Sequence, residues 1–186
     1  MSELKPMRLE SPRLRLREAV NGDAEILFVN YFSSVSSSRF LSRFAHSSIE
    51  QTKRFLDQWT NQAWKLPGTP FAWIIEKLED AEPIGIFLVF QKDSHAEIHY
   101  GISETCRGQG FASEACDTAT KWLLSQNLIQ KVWTAVDIEH VATQRVLEKA
   151  GFQKGEILRN WAVLPAFGSQ ARDAIAYSKS KSFPIK

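Results

Sequence analysis

The stretch Arg107-Gly108-Gln109-Gly110-Phe111-Ala112 carries residue types and a spacing suited to chemistry. Two glycines flank one residue, so the backbone can turn tightly and approach a ligand closely. An apolar run, His95 to Ser103, precedes the loop, and a helical pattern from Ser113 to about Gln126 follows it. The first amides of a helix lack partners within it and sit at the positive end of its dipole. A strand, a short glycine-bearing loop and a helix start together form an anion cradle, most often for phosphate. The amides of Arg107 to Ser113 would line that cradle, and Arg107 would add a cation at its mouth. Just upstream, Glu97 and His99 stand two apart on one strand and therefore share a face. Either could take a proton from a substrate if that face opens on a cleft. The plainer reading puts both on a solvated or structural surface.

A Gly-x-Gly turn ahead of a helix also serves as a simple connection, so other features must decide. The chain has no G-x-x-x-x-G-K-[ST] loop, and no G-x-G-x-x-G with an acid about 20 residues further on, which disfavours ATP hydrolysis and dinucleotide redox chemistry. Its 186 residues suffice for one packed domain and are short for two. Apolar residues at 44% and charged residues at 24% are those of a soluble globular protein. The net charge of +2 is too small to argue for nucleic acid. Cys106 and Cys116 have neither disulfide-framework nor metal-ligand spacing, so no metal is expected and a reducing cytoplasm is the natural setting. Met1 to Leu14 lacks a signal-peptide core. The longest apolar run, Ile84 to Phe90, is too short to cross a bilayer.

These groups need elements to hold them. Met7 to Arg17 alternates Leu14 and Leu16 with Arg13, Arg15 and Arg17, a half-buried strand whose arginines form a solvated face. Asn21 and Asp23 are capping residues for a helix over Ala24 to Phe32 that carries Ile26, Leu27 and Tyr31 on one side. Ser33 to Ser38 reads as a loop. Ser47 or Ser48 caps the next helix, with Glu50 or Gln51 three residues on. That helix holds Phe55, Leu56 and Trp59 and ends before Pro67-Gly68. Phe40, Trp59 and Trp64 could wall a substrate cleft, with core packing the plainer reading. Phe71 to Leu78, Pro83 to Gln91 and His95 to Ser103 are strands, the last two joined antiparallel through Lys92-Asp93-Ser94. In the helix after the loop, Ala112, Ala115, Ala119, Trp122 and Leu123 form one face. A strand at Lys131 to Ile138 leads to a helix from about His140 to Ala150 that stops at Gly151. Strands at about Gly155 to Leu164 and Ala171 to Lys179 close the chain.

This order of elements resembles the GNAT N-acetyltransferase superfamily, and within it the branch of ribosomal-protein-alanine N-acetyltransferases. The matching residues are Ala96-Glu97-Ile98-His99-Tyr100-Gly101-Ile102, Arg107-Gly108-Gln109-Gly110-Phe111-Ala112-Ser113-Glu114-Ala115 and Arg145-Val146-Leu147-Glu148-Lys149-Ala150-Gly151-Phe152. The opening Leu9-Glu10-Ser11-Pro12-Arg13-Leu14-Arg15-Leu16-Arg17 is similar to the branch's first strand. The resemblance spans about residues 7 to 180 of a single domain over 1–186. It implies an α/β fold: a mixed, mostly antiparallel twisted sheet of about seven strands flanked by about four helices. It also implies acetyl-CoA as co-substrate, with its pyrophosphate on the amides of Arg107 to Ser113. The pantetheine arm would lie in a V-shaped slot where the strand ending at Ile102 splays from the one starting at Lys131. The chain departs from the branch where Asn and Ser usually follow the second core strand. Here they are His140 and Thr143, and the imidazole could cap the helix, donate to the cofactor or simply pack.

Acetyl transfer to an amine needs a neutral nitrogen, donors for the carbonyl oxygen and support for the departing thiolate. Backbone N–H groups near Ile102 could supply the donors. Glu97, at a position where the family often has a carboxylate, and His99, whose side-chain type titrates near neutrality, are the candidate bases. Thr143 matches the family's hydroxyl near the cofactor sulfur, or bonds the preceding helical turn. Tyr177 and Asp173 lie within reach of the cleft, whereas Tyr100 points away from Glu97 into the core. Cys106 and Cys116 read as packing residues. The expected acceptor is a primary amine: a protein N-terminus, a peptide, an amino acid or a small amine, with neither nucleic acid nor membrane as partner. A monomer and a homodimer both fit the sequence, and the alternative function is a catalytically silent acyl-CoA-binding module.

Overall fold

The computed structural model describes residues 3–181. Of the single domain expected over 1–186, residues 1–2 and 182–186 lie outside the described residues. Eight strands form one sheet: β1 (Leu9–Glu10), β2 (Leu14–Arg17), β3 (Phe71–Lys77), β4 (Pro83–Lys92), β5 (His95–Ile102), β6 (Lys131–Asp137), β7 (Gln153–Val163) and β8 (Ala171–Ser180). Their order is β1-β2-β3-β4-β5-β6-β8-β7. Five α-helices accompany them: α1 (Asp23–Leu27), α2 (Val35–Ser38), α3 (Ile49–Leu56), α4 (Phe111–Ser125) and α5 (Val141–Lys149). Every neighbouring pair of strands is antiparallel except β5 and β6.

The expected α/β class holds, with eight strands for about seven and five helices for about four. Both differences have local causes. The strand read over Met7 to Arg17 breaks into β1 and β2 because Ser11 folds back on Leu14: Ser11 N donates to Leu14 O, and Ser11 Oγ accepts from Leu14 N at 3.1 Å. The serine run read as a loop contains α2, because the Ser34 hydroxyl accepts from Ser37 N at 3.0 Å and caps a short turn. The first helix leaves α geometry after Leu27 and continues as a π-helix over Phe28–Phe32. Helix α3 likewise passes into a π-helix over Asp57–Gln62.

The sheet is buried on both faces at its centre. Along β3, Phe71, Trp73 and Ile75 pack into one apolar cluster with α4 and α5, while Ala72 and Ile74 join Leu27, Phe32 and Leu56 on the other side. Period-two alternation therefore appears as a continuous apolar run, as in a strand covered twice. The small first turns of α4 let Ala115 and Ala119 sit fully buried against the sheet.

Two polar readings are corrected. The arginines of the first strand form a solvated face only in part: Arg13 is exposed, Arg15 is half-buried and Arg17 is buried. Arg17 is 5% exposed and donates both terminal nitrogens to Asp23, at 2.6 and 2.9 Å, with Nε on Glu76. Arg15 bridges Glu10 and Glu76, and Arg13 pairs with Glu114. The residue capping α1 is Gly22, at φ 95°, without a side-chain cap, and Asn21 plays no such part. Asp23 is drawn into the Arg17 network, where one carboxylate oxygen also accepts from Val20 N. Ser48 caps α3 as expected, accepting from Gln51 N, while the Gln51 side chain accepts from Ser47 N.

Candidate active site

A break in the sheet creates the first part of the site. Strands β5 and β6 pair only over His95↔Lys131, Ala96↔Val132 and Glu97↔Trp133, then part. The V-shaped slot is therefore present between the outer half of β5 and β6. Ser103 N donates to Ile84 O at 2.7 Å. By the alternation of an antiparallel ladder, the main-chain groups of Tyr100 and Ile102 then point toward β6, where no strand pairs with them.

The glycine loop supplies the second part. Gly108 and Gly110 have φ of 75° and 85°, values that L side chains rarely adopt. No amide from Gly108 to Ser113 donates a hydrogen bond among the described residues, and Gly110, which caps α4, receives no side-chain cap. A Cβ at Gly108 would meet nothing within 4 Å, so the space before the loop is open. Converging, unpartnered N–H donors at a helix start fit a diphosphate.

Arg13, not singled out for the site in the sequence, holds this loop in place. Its Nη1 donates to Gln109 O at 3.0 Å, its guanidinium lies 4.5 Å from the Phe111 ring centroid, and a Cβ at Gly110 would come within 3.3 Å of its Nη2. Glu114, in the first turn of α4, receives Arg13 N, Arg13 Nε and the Ser11 hydroxyl. Burial raises the Glu114 pKa, but these donors outweigh it and the net shift is downward. The Gln109 side chain is tied back to Thr105 O. The Arg107 guanidinium turns away from the expected position over the cradle and donates to Ser36 and Ser37 hydroxyls on α2, at 3.0 and 2.9 Å.

Beside the slot lies a cavity of about 420 Å³, and Glu97 and His99 both line it. Their shared face thus opens on a cleft, with His99 Nε2 2.8 Å from Glu97 Oε1. Asp137 and Arg172 line the same cavity. Burial pushes the Asp137 carboxyl up, yet the Arg172 hydrogen bond and the Glu139 amide carry it below its ordinary value, which leaves a poor proton acceptor. Phe40 also lines the cavity and is not a core residue. Trp59 and Trp64 do pack against the two apolar clusters. Tyr31 meets the same strand from above: a Cβ on Gly101 would fall 2.1 Å from the Tyr31 hydroxyl, so only glycine lets the phenol rest there. Periodicity marks Tyr31 as an apolar-face residue and gives no sign that its hydroxyl reaches β5.

His140 and Thr143 are brought together, with Nε2 2.9 Å from Oγ1. The His140 ring stacks on Phe40 at 4.2 Å between centroids. It precedes α5 but makes no capping bond. Burial lowers its pKa to about 4, with Asp137 opposing and Arg107 reinforcing, so the imidazole is neutral near pH 7. Neither residue lines the cavity that holds Glu97. Tyr177 and Asp173 do not reach it either: Tyr177 is buried with its hydroxyl donating to Glu148, and Asp173 is held by Arg159 and Asn160 N. Tyr100 turns to the opposite face from Glu97 and stacks on Phe87, as expected. Cys106 and Cys116 are buried free thiols, and burial pushes Cys116 up to about 12. Among the described residues no cluster could hold a metal ion, and no helix is long and apolar enough to cross a membrane.

The chain is similar to the N-acetyltransferase YoaA of Bacillus subtilis, itself uncharacterized, at 31% identity over 156 residues, covering 82% of this chain and 86% of the relative. Its fold is that of the RimJ of Mycobacterium smegmatis solved with a CoA disulfide, at a TM-score of 0.82 and 15% identity, covering 97% of this chain and 90% of that one. It is likewise that of the RimL ribosomal L7/L12 α-N-protein acetyltransferase solved with coenzyme A, at 0.80 and 16%, covering 94% and 98%. The model of the acetyltransferase (GNAT) domain matches residues 13–153, a span that includes the splayed strands, the glycine loop and α5. By its sequence and by the architecture around the slot, the chain belongs to the GNAT acetyltransferase family.

Proposed function

We propose that the protein transfers the acetyl group of acetyl-CoA to a primary amine by direct attack, with no covalent enzyme intermediate. One observation supports this reading: strand β5 parts from β6 beyond Glu97, leaving the edge at Tyr100 and Ile102 unpaired, and leads into a loop whose amides from Gly108 to Ser113 are unpartnered among the described residues, while Glu97 and His99 of the same strand line a cavity. The loop would hold the diphosphate of the coenzyme, and the β5 edge would hold its pantetheine arm. When bound, the coenzyme supplies an acetyl thioester open to attack. Glu97 or His99 would accept the proton that the amine nitrogen sheds as its bond to the acetyl carbon forms. The main-chain N–H groups near Ile102 would donate to the carbonyl oxygen. Thr143, held by His140, would hydrogen-bond the sulfur as its bond to carbon breaks; coenzyme A departs as the thiolate and becomes the thiol by taking up, through solvent, the proton that the amine gave to the base. The structural kinship with the RimL α-N-protein acetyltransferase supports testing protein N-termini as acceptors, beside peptides, amino acids and small amines.

Incubating the purified protein with acetyl-CoA and a panel of such amines tests this reading. Steady thiol release with an acetylated amine in the mass spectrum is the expected result. Tight coenzyme binding with no release from any amine would point instead to the silent acyl-CoA-binding module.

A further inference from the structure

The charged groups lining the cavity are paired, with one exception. Glu97 is bonded to His99, and Asp137 is engaged by Arg172, which also reaches Glu139. Arg43 lines the same wall, half-buried, and among the described residues no carboxylate lies within 4 Å of it. Its one hydrogen bond goes to the carbonyl of its neighbour Phe44, at 3.0 Å from Nη1. Its guanidinium lies 5.2 Å from the centroid of the Phe32 ring. Burial pushes its pKa down, although Tyr31 opposes the shift, so the charged form is held here at some cost. A guanidinium has five N–H donors, and most of these find no acceptor among the described residues. Withdrawing such a cation from water is costly unless a partner arrives. The stack on Phe32 repays only part of that cost.

We propose that Arg43 binds a carboxylate on the acceptor, so that the preferred amines carry a carboxylate beside an apolar or aromatic body. The planar fork of arginine suits a carboxylate held by two hydrogen bonds. Phosphate shares that chemistry, but a dianion calls for a second unpaired cation, and Arg172 is already committed to Asp137 and Glu139. The rest of the wall suits an apolar body, since Phe32, Phe40, Phe55, Phe90 and Trp161 line it. At about 420 Å³ the cavity accommodates an amino acid or a short peptide end. Glu97 and His99 line the same cavity and would meet the amine.

This inference rests on the acetyl-transfer reading, and the test separates the two. N-acetyl-L-phenylalanine and its neutral amide are titrated calorimetrically into the coenzyme A-loaded protein, which requires no turnover. The acid should bind at least about tenfold more tightly than the amide. Arg43→Gln should erase that preference while changing affinity for the amide less than about twofold, and Arg43→Lys should restore part of it. Coenzyme A affinity and circular dichroism establish that the variants are folded. Equal binding of acid and amide to the parent protein, no binding of either at millimolar concentration, or a parallel loss of both in Arg43→Gln would overturn the proposal. Preference for the acid in a protein that acetylates no amine would keep the carboxylate site and discard acetyl transfer. Turnover of L-phenylalanine and L-phenylalaninamide at equal kcat/KM, with no acid preference in binding, would do the reverse.

Discussion

Arg13 Nε donates to Glu114 Oε2 at 2.7 Å, joining residues 101 positions apart. The bond ties the turn between β1 and β2 to the first turn of α4, and through Arg13 Nη1 it extends to the carbonyl of Gln109 in the glycine loop. Glu114 is also a negative charge near a helix N-terminus, where the dipole favours it. The Arg13 side chain is 48% exposed, so the ion pair alone contributes little to stability. Its effect should appear in loop placement. Arg13→Gln and Glu114→Gln should each weaken coenzyme A binding about three- to tenfold and cost roughly 1 kcal/mol or less of stability. A double-mutant cycle on the dissociation constant should show strong coupling. Additive losses would mean that the two residues do not act on the loop together.

Gly110→Val tests the cradle itself. The backbone there has φ of 85°, and a Cβ would crowd Arg13 Nη2 at 3.3 Å. A β-branched residue at positive φ costs about 1–3 kcal/mol in strain, and the loop is expected to relieve it by moving. Coenzyme A affinity should fall by at least tenfold, as read by calorimetry, while the melting temperature drops by only a few degrees. Unchanged affinity would remove the amides of Gly108 to Ser113 from the binding site.

The Arg17 network is a structural liability if broken. Asp23 and Glu76 are 3% and 4% exposed, and Arg17 pairs with both, sharing Glu76 with Arg15. Arg17→Met would leave two buried carboxylates without that partner, a loss of about 3–5 kcal/mol. For a chain of this size that corresponds to a fall in melting temperature of roughly 6–20 °C. Circular dichroism melts of the variant check this directly. A shift below about 3 °C would show that Arg15 and the main chain satisfy both acids unaided.

Local signals were the legible ones. Ser48 ahead of Gln51, Gly151 after α5, the Lys92-Asp93-Ser94 turn and the glycine loop each act over a few residues, and the structure has all of them where the sequence points. Long-range pairing was not legible. Alternation cannot show that Arg17 meets Glu76, 59 residues away, so a buried ion network looked like a wet strand face. The same limit hid Arg13 behind Glu114, and sent the Arg107 side chain to the serines of α2. In the cavity, the strand rule placed Glu97 and His99 on one face. The period of the first helix marks the face of Tyr31 but not the reach of its hydroxyl, and Arg43 arrives from the irregular segment between α2 and α3, where no period announces which way a side chain turns.

The proposed role of the Glu97–His99 pair makes a prediction about rate. Asp137, bonded to Arg172, is a poor proton acceptor, so on that proposal the base is one of the pair. Glu97→Gln and His99→Gln should differ: loss of the direct base should lower kcat by about 10²- to 10⁴-fold, and loss of its hydrogen-bonded neighbour by far less. Equal, small losses would place both residues outside the proton path.

Acid should destabilise the protein through its buried imidazoles. His46 is 5% exposed, shares a 2.8 Å hydrogen bond with Thr52 and stacks on Phe32. Burial, reinforced by the Arg43 charge, lowers its pKa from 6.5 to about 4. Between those values the unfolded chain binds the proton and the native chain does not. Stability from this group is therefore complete above about pH 6.5 and drains away as the pH falls toward 4. At pH 4.5 the loss amounts to about 2–3 kcal/mol relative to pH 7. His140, also lowered to about 4, adds in the same direction. Urea unfolding of the parent and of His46→Gln at both pH values isolates the His46 share. The variant should lose about 2 kcal/mol less than the parent on acidification, since its side chain has no proton to take up. An identical loss in both proteins would mean that the native structure accommodates a charged His46, and that other groups set the acid limit.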